Sequence, residues 1–177
     1  MDWLEILSKW LPIGASVSLV IFVGIEIGLM RVNTTVDLML RYEDRFNSPH
    51  LRKSRKCTAR ACLDVLKKEG EPNQNESRFS SHDQTIFLTI LDFFESLGLL
   101  VRKARIKPDI VWSLFGDWIE NYYSMFKEEI SKMREKDSSL YENLIWLGKK
   151  MEATNRKRGI SITDKDRLEF FELEANI

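Results

Sequence analysis

Proline and glycine are scarce in this chain, 4 and 8 among 177 residues. With so few places to turn, an architecture of many short strands is excluded and long helices are expected. An excess of one charge is also absent, since 27 Lys and Arg balance 27 Asp and Glu. A protein whose main task is to coat nucleic acid would carry a basic surplus, so direct RNA binding is not expected. Only two cysteines occur, Cys57 and Cys62. Five residues apart on a helix they lie about 140° from each other, which suits neither a disulfide nor a Cys-x-x-Cys metal knuckle. Both read as reduced, cytosolic thiols. There is no Gly-rich phosphate loop, no metal-spaced cluster and no Gly-x-Ser-x-Gly elbow, so neither a cofactor nor a metal is expected. What the chain does have is apolar content, 44% of its residues, too much for a disordered polypeptide.

The longest apolar run is LPIGASVSLVIFVGIEIGLM, from Leu11 to Met30, in which Glu26 is the one ionisable residue. That length matches a single bilayer crossing. Asp2 and Glu5 stand where a signal peptide would be basic, and no small-x-small cleavage site follows the run, so it reads as a retained anchor. Lys9 alone precedes it, whereas Arg31, Arg41, Arg45, Arg52, Lys53, Arg55 and Lys56 follow. The positive-inside rule therefore puts the N-terminus outside and the body in the cytoplasm, with Trp3 and Trp10 at the outer aromatic belt. The organisation expected is a short periplasmic N-terminus over 1–10, a transmembrane helix over 11–30, a cytoplasmic extension of the same helix over 31–47, and a helical cytoplasmic domain over 48–177.

Gly14, Ser18, Gly24 and Gly28 fall on one side of the anchor, and Gly24 with Gly28 forms a G-x-x-x-G pair that lets a second helix approach closely. Glu26 lies off that stripe. It either snorkels to the inner interface or, in a ring of helices, faces a wet lumen. No Gly or Pro interrupts the chain between Met30 and Phe46, so the helix is expected to continue past the membrane. Val32, Val36, Met39 and Phe46 make its apolar side. Asn33, Asp37, Arg41 and Asp44 make a polar stripe, with Asp37 and Arg41 one turn apart. Such a stripe is a solvated face or, in a ring, the lining of a vestibule, which makes Glu26, Asn33, Asp37, Arg41 and Asp44 the pore-lining candidates.

Ser48 and Pro49 look like the cap and first residue of a helix over Leu51 to Glu69. Its basic residues, Arg52, Lys53, Arg55, Lys56 and Arg60, lack interleaved aromatics and suit anionic lipid or solvent better than RNA. After a polar loop, Glu71 to Ser77, Ser80 or Ser81 caps a helix from His82 to Leu97, with Ile86, Phe87, Ile90, Leu91, Phe93, Phe94 and Leu97 as core and Gly98 as its stop. Leu99 to Ile106 is short and open to an extended conformation. Pro108 begins a helix to about Glu135, whose core positions are Val111, Leu114, Phe115, Trp118, Tyr122, Met125 and Phe126. Ser138 or Ser139 caps a further helix closed by Gly159, and Thr163 opens a last one carrying Leu168, Phe170, Phe171 and Leu173. The expected class is all-α, a bundle of about five helices beneath one anchor.

Two histidines remain for chemistry. Arg45 and His50 form R-x4-H, and Arg78 and His82 form R-x3-H. R-x4 to 6-H is the signature of HEPN ribonucleases, in which an imidazole moves a proton and a guanidinium steadies the phosphate. Phe46 stands where a polar residue usually follows the arginine, and Pro49 breaks the helix before His50. The alternative is structural: an arginine bonded at a helix boundary and a histidine near a cap. With its single anchor, helical body and lone divergent R-x4-H, the chain resembles the small membrane accessory proteins of type VI-B CRISPR systems. That resemblance implies a HEPN-like body whose Arg45 and His50 have lost nuclease activity. It also implies a homo-oligomeric ring, an octamer among the sizes it allows, forming a pore in the bacterial inner membrane and strengthening antiphage defence in functional link with a CRISPR RNA-guided ribonuclease. The stretch LFGDWIENYY, Leu114 to Tyr123, is similar to bacterial one-span proteins and implies no function. Two rival readings stay open, a membrane-tethered ribonuclease using Arg45 and His50 and a single-span scaffold for a cytoplasmic partner.

Overall fold

The computed structural model describes Phe22, Val23, Ile25, Glu26 and residues 34–68 and 78–177. The chain divides into two compact units, Met1–Tyr42 and Glu43–Ile177. Regular structure among the described residues is helical, with no strand. Helix α1 covers 34–46; it is followed by α2 (Pro49–Lys68), α3 (Ser81–Arg102), α4 (Pro108–Arg134), α5 (Glu142–Lys157) and α6 (Asp164–Glu174).

In the first unit Phe22, Val23, Ile25 and Glu26 are helical and exposed. The rest of the expected span, with Gly14, Ser18, Gly24 and Gly28, lies outside the described residues, as does Asn33. On α1, Met39 is buried, whereas Val36 and Leu40 are 50% and 54% exposed.

In the second unit α3 is the central helix, packed on α2, α4 and α5, while α4 packs on α5 and α6 on α2. It is the one described helix long and apolar enough to cross a membrane. In this fold its apolar residues Phe87, Ile90, Leu91, Phe93, Phe94 and Leu97 form the core of the body. Aromatic rings fill the space between helices. Phe46 lies 5.1 Å from Phe93, 5.2 Å from Phe115 and 5.3 Å from Trp118, and Phe87 stacks on Phe126 at 4.3 Å. Each fully buried ring contributes roughly 2–3 kcal/mol of transfer free energy.

Four sequence expectations change. Gly98 is not a stop: α3 runs through it to Arg102, and the chain turns instead at Ala104, which takes a left-handed φ of 52°. The missing Cβ of Gly98 is needed for packing, because a Cβ at Gly98 would stand 2.5 Å from the Asn143 carbonyl oxygen on α5. The segment Leu99 to Ile106 is accordingly helix and turn, not extended. Neither Ser138 nor Ser139 caps α5. Ser139 bonds Asp137, the cap position is Tyr141, and the free amides of Asn143 and Leu144 donate to the Glu95 carboxylate of α3 at 3.3 and 2.7 Å. A carboxylate at a helix N-terminus satisfies orphan N–H groups and favours the helix dipole, wherever in sequence it comes from. Leu114 is exposed, since the buried stripe of α4 runs through Val111, Phe115, Ile119, Tyr122 and Phe126 beside it.

Other boundaries agree with expectation. The Ser48 hydroxyl accepts from the Leu51 amide at 3.4 Å with Pro49 opening α2, Ser80 caps α3, and Thr163 caps α6 in a reciprocal box with Asp166.

Candidate functional site

Of the residues singled out in sequence, Arg45 and His50 fall at the joint where α1 ends and α2 begins. The last turn of α1 closes through the Asn47 amide, which donates to the Glu43 carbonyl at 2.9 Å, and the Ser48 amide, which donates to the Arg45 carbonyl at 3.2 Å. Pro49 then fixes the backbone for α2. Arg45 and His50 flank this turn and both are exposed. No hydrogen bond joins them among the described residues; the Arg45 guanidinium instead sits 5.8 Å above the Phe93 ring. The second motif is also divided. Arg78 donates to both oxygens of Glu129 on α4, at 3.2 and 3.1 Å, and to the Met125 carbonyl at 3.0 Å, while His82 is exposed on the first turn of α3.

The basic residues of α2 separate into two groups. Arg52, Lys53 and Arg60 are exposed, and Arg52, Lys53 and Lys56 line a cleft of about 290 Å³ with Asn47, Pro49 and Ile177. Lys56 donates to the Ile177 carbonyl oxygen at 2.8 Å. Arg55 is in the interior. Its side chain is 5% exposed and that of Glu174, on α6, 6%. Nε and Nη2 of Arg55 donate to the two Glu174 oxygens, each at 2.8 Å, the bidentate geometry that makes such pairs strong. Nη1 donates to the carbonyl of Phe46, the last residue of α1, at 3.3 Å, and the guanidinium carbon lies 4.0 Å over the Phe46 ring. Trp118 Nε1 donates to Glu174 at 3.0 Å, and the Tyr122 hydroxyl donates to the Arg55 carbonyl at 3.5 Å. Burial first, and then the nearby Glu174 charge, push the Tyr122 hydroxyl well above its ordinary range, so it stays a neutral donor.

This ion pair was not found from sequence, because 119 residues separate its members. A signal existed. Leu51, Ser54, Arg55, Thr58, Ala59 and Cys62 are all buried, a spacing of three and four that places Arg55 on the inner stripe of α2, where a charge requires a partner. Of the remaining candidates, Glu26, Asp37, Arg41 and Asp44 are exposed, and no ion pair closes between Asp37 and Arg41 among the described residues. Cys57 and Cys62 are free thiols; burial pushes that of Cys62 well up, which makes it a poor nucleophile. No group of three or more metal-ligating side chains is assembled among the described residues.

A family model matches residues 21–151, well over half of the chain. The chain belongs to the DUF4760 family. The description of DUF4760 is a domain of unknown function. No curated protein and no solved structure matches the chain. The DUF4760 region starts inside the apolar run and ends at Met151 on α5. It therefore includes Phe46, Arg55, Trp118 and Tyr122 of the buried network but not Glu174 or any other part of α6.

Proposed function

We propose that this protein is a single-span inner-membrane protein whose copies assemble into a ring-shaped pore, and that the pore strengthens RNA-guided CRISPR antiphage defence by permeabilising or depolarising the membrane. The observation that carries this reading is the exposed face of α1. There the half-exposed apolar pair Val36 and Leu40, one turn apart, runs beside exposed Asp37, Arg41 and Asp44. An apolar edge of this kind favours the helix of a neighbouring copy, and the adjoining polar line favours water. Residues 11–30 supply the crossing, and the DUF4760 region begins within them. One crossing per chain encloses no lumen, so the pore requires several copies in closed symmetry. The link to defence comes from the resemblance of the chain's plan, from anchor to helical body, to the type VI-B accessory proteins. In this reading the joint, with Arg45 and His50 on its surface, serves assembly rather than RNA cleavage.

The test is the mass of the detergent-solubilised full chain by size exclusion with light scattering, together with dye uptake in cells expressing it. A discrete large oligomer is expected, shifted to smaller species by Val36→Asp with Leu40→Asp, which also abolishes dye uptake. A monomer at all concentrations removes the pore. A dimer whose RNA cleavage disappears in His50→Ala replaces it with the tethered ribonuclease.

A further inference from the structure

Helix α6 is held near its C-terminal end, by the Phe170 and Phe171 rings on Trp118 and Tyr122, by Glu174, and by the Lys56 bond to Ile177 just beyond it. The stretch leading to it, Arg156 to Ser161, is exposed throughout, and within the helix only Phe171 and Glu174 are buried, while Leu173 beside them is 74% exposed. Phe171 meets the Tyr122 ring edge-on at 5.5 Å. Glu174 seats on Arg55 and Trp118. The carboxylate thus fixes the guanidinium that in turn bonds the Phe46 carbonyl and covers its ring. The receiving groups all lie within the DUF4760 region, and the carboxylate lies outside it. Arg55 and Trp118 form a carboxylate receptor at the end of α1, and α6 brings the carboxylate.

We propose that α6 is a releasable latch on the joint: with Glu174 seated, Arg55 holds the last turn of α1 against α2, and when α6 leaves, Arg55 is uncompensated and residues 43–50 are freed. Three features support release as a discrete event. The hydrogen bonds from α6 to the body run through one carboxylate, that of Glu174, the exposed linker allows α6 to leave without disturbing α5, and a buried arginine stripped of its carboxylate is strongly destabilised where it stands. Every movement passed along the chain from residues before Tyr42 to the body goes through 43–50. The latch stands without the pore reading; where that reading holds, it sets how firmly residues 43–50 of each copy are held.

Hydrogen exchange of the full chain in detergent, read by mass spectrometry, tests the latch. Glu174→Gln keeps the shape and removes the charge. It should speed exchange about a hundredfold in both 164–176 and 43–50, leaving α3 and α5 protected, while Leu173→Ala changes neither segment. A second variant, Arg55→Met with Glu174→Leu, replaces the pair by apolar groups of similar size. It should keep α6 protected yet leave 43–50 fast, because the Phe46 carbonyl has lost its donor. Loosening of α6 with 43–50 unchanged, protection of 43–50 in the double variant, a uniform rise over all helices, or no change each overturns the latch. None of these outcomes depends on oligomer mass or dye uptake, so the pore and the latch fail separately.

Discussion

Gly98 offers the sharpest test of how the body is packed. In an exposed helix Gly→Ala stabilises by about 1 kcal/mol, through backbone entropy. At Gly98 the new methyl would lie 2.5 Å from the Asn143 carbonyl oxygen and 2.8 Å from its carbonyl carbon. Those are backbone atoms, so relief requires the first turn of α5 to move away from α3. The same turn is held by Glu95, whose carboxylate accepts from the Asn143 and Leu144 amides and from the Asn143 side chain, and an outward shift lengthens all three bonds. Overpacking costs about 1–3 kcal/mol, and weakening charge-assisted bonds adds about 1–2 kcal/mol. Subtracting the propensity gain leaves a net loss of about 2 kcal/mol, or ~4–8 °C in Tm for a chain of this length. Gly116→Ala is the control. The atoms nearest its Cβ would be side-chain atoms of Trp112, at 3.3 Å, and no backbone atom stands closer, so its Tm should fall by less than that of Gly98→Ala. Thermal unfolding followed by circular dichroism compares the two. Equal shifts for both variants would refute the close α3–α5 approach.

Two further outcomes follow from the same geometry. Glu95→Gln presents an amide N–H₂ where the α5 amides need an acceptor and removes the charge from the helix N-terminus; it should cost about 1–2 kcal/mol, and a urea midpoint within error of wild type would show that α5 is not capped from α3. Glu120, bonded by the Asn155 amide, is pushed up by burial more than that bond pulls it down. The folded chain then keeps a proton that the unfolded chain has released, so this group's contribution to stability falls as pH rises through and above the ordinary glutamate value of about 4.3. Glu120→Gln should remove that part of the pH dependence, and parallel urea-midpoint profiles from pH 4 to 7 for the two proteins would refute the assignment.

Periodicity made the helices and most of the core legible. Phe87, Phe93, Phe94, Phe115 and Tyr122 are buried where the three-and-four spacing puts them, because a helix with few breakers has one way to hide such a face. Caps made from neighbouring residues, Ser48, Ser80 and Thr163, were legible for the same reason: donor and acceptor are three residues apart. The stop at Gly98 and the cap at Ser138 or Ser139 were misread because local rules assign glycine and serine to helix ends. Here a neighbouring helix requires the missing Cβ of Gly98, and a carboxylate of α3 supplies the cap of α5. The candidate site divides in the same way. The joint between α1 and α2 stood in the sequence as Asn47, Ser48 and Pro49, whereas Arg55 was grouped with Arg52 and Lys53 by charge, although its position on the helix differs from theirs.

Charge alone is a poor guide to such residues, but charge combined with register narrows the search sharply. Among the described residues three charged side chains are buried, Arg55, Glu129 and Glu174. Each sits on an inner stripe: Arg55 between Leu51 and Ala59, Glu129 three residues after Phe126, and Glu174 three after Phe171. An arginine on an inner stripe must find an acid that is also on one, since an exposed carboxylate cannot reach it without leaving water. Among the described acidic residues, that condition leaves two. Glu129 is taken by Arg78, immediately before α3, and Glu174 is left for Arg55. The two arginines lie where the chain approaches α3 and where it has just entered α2, and each is fixed by an acid from a helix far along the sequence. The buried charges therefore act less as sources of stability, which apolar groups would supply as well, than as ties that settle where the bundle receives its incoming segments.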